Sequence, residues 1–87
     1  MPYIPPNQRP RLDTVVHQLE AARSLSPGEM NYLITRLLMV WLPVDPGYAD
    51  YSRVRAVLQD ISDEFYRRLM IPFEDYKIAL NGDAFHV

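Results

Sequence analysis

Ten of the thirteen residues from 30 to 42 are apolar or aromatic, the exceptions being Asn31, Thr35 and Arg36. The run follows Ser26-Pro27-Gly28-Glu29, with serine at the cap, proline at the first helical position and glutamate at the third. This is the pattern of a capping box, with proline where its missing N–H costs nothing. Leu25 and Met30 are placed to close a hydrophobic staple over it. Pro43 cannot continue a helix. The spacing predicts a helix from residue 27 to about residue 42.

A helix apolar nearly all round must be covered on most sides. The chain has 87 residues, and a domain of that size buries only about 60–65% of the surface its unfolded chain exposes. Two neighbouring helices hardly cover so wide an apolar perimeter. The expected cover is a second copy: a symmetric homodimer centred on this helix, with Leu33, Leu37, Val40 and Trp41 at the interface. Asn31 has two readings there. It either fixes the register of the interface as a single buried amide or faces solvent in the first turn.

The other apolar patterns are also helical. Leu12, Val15, Val16, Leu19 and Ala22 form one stripe at i, i+3, i+4, i+7 and i+10. Either Asn7 caps this first helix or Pro10 opens it. Asp45-Pro46-Gly47 marks a turn, after which Asp50 caps a third helix running to about residue 70. Its stripe is Tyr51, Val54, Leu58, Ile61 and Phe65. Pro72 ends or kinks it. A short fourth helix then runs from 72 to about 80, with Asn81-Gly82 as its stop. Residues 83–87 are expected to be extended and to pair with or pack against residues 1–4. The fold class is all-α: one domain over 1–87, a small bundle of three main helices and a short C-terminal one, with extended termini.

Composition removes whole classes of function. Without cysteine there is no disulfide framework, thiolate metal site or cysteine nucleophile. Three glycines and no GxxxxGK[ST] pattern exclude a phosphate-cradling loop of that type. Residues 1–44 balance at +1 and residues 45–87 at −3, so neither half has the dense basic face that nucleic-acid binding requires. The six tyrosines, three phenylalanines and Trp41 therefore fit core and interface positions better than base stacking. The longest apolar run, residues 37–42, is far below the roughly 20 residues of a membrane span. Four prolines and one charge in the first ten residues do not make a secretory signal. The expected location is cytoplasmic.

Several segments together resemble a family of small uncharacterised prokaryotic and phage-associated proteins of unknown function. They are Met1-Pro2-Tyr3-Ile4, Glu29 through Thr35, Tyr66-Arg67-Arg68, Pro72-Phe73-Glu74-Asp75, Lys77-Ile78 and Asn81-Gly82-Asp83. The resemblance spans nearly the whole chain and implies a complete protein; it implies no activity. Tyr76 stands where that family has a second lysine beside Lys77, and residues 59–63 lack its cysteine.

Three constellations bear on chemistry. Asp60, Asp63 and Glu64 share a helical face at i, i+3 and i+4. With Glu74 they are the candidate ligands of a metal-dependent hydrolase acting on a nucleotide. The stronger account is two acid-before-base pairs, Asp63 to Arg67 and Glu64 to Arg68, each worth about 0.2–0.5 kcal/mol. Glu74, Asp75 and Lys77 either surround a small ligand or complement the dipole of their own helix, and the second account covers all three. His17, with Asp13 four residues before it and Glu20 three after, is either a carboxylate-oriented histidine or part of a solvated helix face, which explains it equally well.

The expected function is a non-catalytic helical interaction or oligomerisation module with no cofactor, the hydrolase being the alternative. Its exposed binding candidates near the bend are Arg67, Arg68, Glu74, Asp75 and Lys77. No catalytic residue is expected, and neither nucleic acid nor membrane is an expected partner.

Overall fold

A computed structural model describes residues 1–85. It is all-α: 76% of it is helical, and there is no strand among the described residues. Residues 2–54 form one unit, and Met1 with the residues from Arg55 onward forms the other.

The first unit opens with a single 3-10 turn, Pro6–Gln8, and helix α1, Pro10–His17. Of the two openings considered, the one at Pro10 is found. Arg9 occupies the cap with no side-chain bond, and Asn7 does not cap. The helix is shorter than its apolar stripe. The Gln18 N–H is shared between the carbonyls of Thr14 and Val15, at 3.3 and 3.1 Å, and the chain tightens into a 3-10 segment, Glu20–Ser24. An eight-residue helix with no cap and three successive β-branched residues has little intrinsic stability. Periodicity alone could not carry it to Ala22.

Helix α2, Pro27–Trp41, forms as the local signals require. The Glu29 N–H donates to the Ser26 hydroxyl at 3.2 Å, and the Ser26 N–H donates back to the Glu29 carboxylate at 2.9 Å. The backbone bond from Ser26, helped by its hydroxyl, holds the Glu29 carboxyl below its ordinary value near 4.5. A lowered folded value means the box contributes fully above that ordinary value and is lost as pH falls through the lowered one. Ser26→Ala is expected to cost about 1 kcal/mol, whereas Glu29→Gln, which removes the titrating carboxyl but can still accept the residue-26 N–H, is expected to flatten the acid side of a helicity–pH titration followed by circular dichroism. An acid limb unchanged in Glu29→Gln would contradict this role.

Helix α3, Tyr48–Phe65, starts two residues before Asp50, so Asp50 is not its cap residue. Asp50 instead occupies the third helical position, where its carboxylate accepts the Gly47 N–H at 2.9 Å. That is the returning half of a capping box, and it meets an orphan N–H as well as a cap would.

The largest departure from expectation lies in the second unit. Pro72 does not separate two helices. Residues Tyr66–Met70 form a π turn between α3 and α4, Ile71–Asn81, and the helical path runs unbroken for 34 residues. A proline inside a helix lacks its own N–H and crowds the carbonyl four residues earlier. The turn before Pro72 is widened, with the Ile71 N–H donating to the Tyr66 carbonyl five residues back. A wide turn of this kind is a recognised way for a helix to pass a proline, and here the helix continues. Gly82 then stops it at φ 89°, a conformation glycine adopts without steric cost, and its N–H donates to the Ile78 carbonyl at 2.8 Å. Residues 83–85 follow as an irregular segment in which the Phe85 N–H donates to the Asp83 side chain at 2.9 Å. The expected pairing of residues 83–87 includes His86 and Val87, which lie outside the described residues.

Among the described residues none is buried. Exposure measured on the whole chain is a lower bound for a unit taken alone, so neither unit covers its own apolar side chains. The least exposed, such as Leu25, Met30, Leu33, Leu38, Leu42 and Val54, reach only half-burial.

Candidate functional site

Helix α2 carries the candidate interface. Leu33 is half-buried, whereas Leu37 is 59%, Val40 81% and Trp41 51% exposed. Asn31 is exposed in the second turn's approach, with the Thr35 hydroxyl donating to its backbone carbonyl at 2.8 Å and lying 3.4 Å from its side-chain oxygen. The last turn of α2 also borders a shallow cavity of about 290 Å³, lined by Trp41, Leu42, Pro43, Asp50, Arg53 and Val54. In it Arg53 donates to the Asp50 carboxylate at 2.6 Å. The Asp50–Arg53 pair was not among the sequence candidates. Its only sequence signal is an acid three residues before an arginine, which recurs on many solvated helices.

The carboxylates of α3 are spoken for singly. Asp63 accepts from the Gln59 amide at 2.8 Å, not from Arg67. Glu64 pairs with Arg67 three residues on, at 2.8 Å from its Nε, and not with Arg68. The π turn begins immediately after Phe65 and changes the rotation per residue there, so i,i+4 spacing no longer predicts the partner. Asp60 is exposed. Glu74 stands in the first turn of α4, beyond the π turn. Among the described residues no three His, Cys, Asp or Glu side chains converge to hold a metal. The set Asp60, Asp63, Glu64 and Glu74 is thus not assembled into a metal site, because a shared helical face does not make side chains converge.

The charged candidates in the π turn and in α4 are not gathered either. Arg67 is engaged with Glu64, and Lys77 Nζ lies 5.6 Å from the centre of the Phe73 ring, a cation–π distance. Arg68 and Asp75 are exposed. His17 lies in the last turn of α1 and is exposed.

Residues 1–84 match the domain of unknown function DUF6899. The chain belongs to that family. No curated protein and no solved structure matches it significantly. The DUF6899 match covers both units and so takes in α2, the π turn and α4 together. No helix among the described residues of this DUF6899 chain is long and apolar enough to cross a membrane.

Proposed function

We propose that this chain is a non-catalytic helical module that acts by self-association in the cytoplasm, as a homodimer centred on α2 with Leu33, Leu37, Val40 and Trp41 at the interface. The observation that carries the reading is the exposure of Leu37, Val40 and Trp41 on a helix that is apolar nearly all round. Covering each such side chain is worth about 1.5–3 kcal/mol. Three of them from each of two chains, already partly covered, supply on the order of 6–11 kcal/mol, comparable with the cost of association of about 4–15 kcal/mol. The Asp50–Arg53 pair borders Trp41 and supplies a charged rim of the kind that surrounds apolar interface centres.

A dilution series by sedimentation equilibrium tests this directly. The intact chain is expected at about twice 10.2 kDa at micromolar concentration, with dissociation on dilution. A single species of monomer mass throughout overturns the reading.

A further inference from the structure

We propose that the helical path through α3, the π turn and α4 carries a second pairing seam, along which the same two chains of the dimer form a coiled coil, each with the second copy of itself. The seam lies wholly in the second unit. It rests on the reading of the chain as a self-associating module and identifies a surface that the α2 interface does not include.

The seam is Leu58, Ile61, Phe65, Leu69, Phe73, Tyr76 and Leu80, at successive spacings of 3, 4, 4, 4, 3 and 4. Heptads alternate 3 and 4. This series departs from that rule once, spanning 22 residues where three heptads span 21. The extra residue falls between Phe65 and Leu69, inside the π turn Tyr66–Met70. A turn closed from residue i to i+5 absorbs one residue more than an α-turn. The π turn therefore returns Leu69, Phe73, Tyr76 and Leu80 to the heptad phase of Leu58, Ile61 and Phe65. Relief of Pro72 explains why a wide turn is present. It does not explain why the apolar series slips by one residue at the same place.

All seven side chains are between 39% and 61% exposed. Together they offer on the order of 800 Å², given about 150–250 Å² for each fully covered aromatic, and one partner in a standard interface contributes about 800 Å². The occupant is fixed by pattern and length. A seam of alternating spacings is filled by another such seam, and at about 1.5 Å per residue this one is roughly 33 Å long. Helix α2, with 15 residues, is roughly 22 Å long. Among the described helices, only a second copy of this same one matches the full seam.

Three variants of the intact chain, compared with the parent by sedimentation equilibrium, decide the matter, with circular dichroism confirming helix content. The first removes Arg68 together with Pro72→Ala, which leaves regular heptads and no proline opposing a regular turn. It is expected to dimerise within about threefold of the parent, since the apolar seam is unchanged. The second inserts one alanine after Arg67, adding a second extra residue and turning the downstream half by roughly 100°. It is expected to raise the dissociation constant about a hundredfold or more while keeping its helicity. The third, Val40→Glu, damages the α2 interface alone.

Pairing lost on insertion and kept on deletion supports the seam. An insertion without effect, or a deletion as damaging as the insertion, overturns it. If Val40→Glu dissociates the chain and the insertion does not, the seam fails and the α2 reading stands. If the insertion dissociates it and Val40→Glu does not, the α2 interface fails and the seam stands. A parent chain that is monomeric overturns both.

Discussion

Trp41→Ala is expected to weaken self-association by about 2–4 kcal/mol, a loss of roughly 30- to 1,000-fold in affinity. Tryptophan supplies a large apolar area at little entropic cost, and Trp41 is half exposed at the end of α2. Truncating it removes that area from both sides of a two-fold interface. Helix content should stay near that of the parent, because Trp41 is the last residue of α2 and contributes to no cap. Arg53→Ala is the matching control. Arg53 is mostly exposed in its pair with Asp50, so its removal should cost well under 1 kcal/mol and chiefly change the salt dependence. A Trp41→Ala chain that unfolds, while the remaining folded fraction dimerises normally, would place Trp41 in the packing of its own unit instead.

Pro72→Ala is expected to stabilise the helical path by about 1–3 kcal/mol and to slow amide exchange on either side of residue 72. Alanine restores an N–H that can bond the Arg68 carbonyl, and it loses the ring that a regular turn cannot accommodate. Native-state hydrogen exchange reads the effect residue by residue, since local openings there have their own free energies. Unchanged exchange at residues 66–72 would show that the missing N–H is not the weak point of the helix.

Both predictions turn on features that differ in how far the chain itself announces them. Features with a single local solution were visible in the residues. The Ser26–Glu29 box needs only a hydroxyl, a carboxylate and a spacing of three, and it forms as such. Gly82 stops α4 because its positive φ is open to glycine. Absent cysteine and the low density of basic residues are properties of composition and need no structure.

Features that depend on a competition between nearby groups were not visible. The stripe from Leu12 to Ala22 has helical period, but the uncapped segment carrying it closes into a 3-10 turn instead. Asp63 and Arg67 have ideal i,i+4 spacing, yet Gln59 and Glu64 are the partners they meet. In each case several arrangements satisfy the same spacing. The choice rests on energies of a few tenths of a kcal/mol, below what residue types alone resolve.

The sequence by itself determined an all-α chain, the position and start of α2, its nearly continuous apolar perimeter and the end of α4, because each follows from groups adjacent along the chain. Only the tertiary structure decided that the helix passes Pro72 through a π turn, and that Leu37, Val40 and Trp41 stay uncovered. A proline removes one hydrogen bond, but whether the helix stops depends on whether the preceding turn can widen. Whether an apolar side chain is covered depends on what the rest of the fold brings to it.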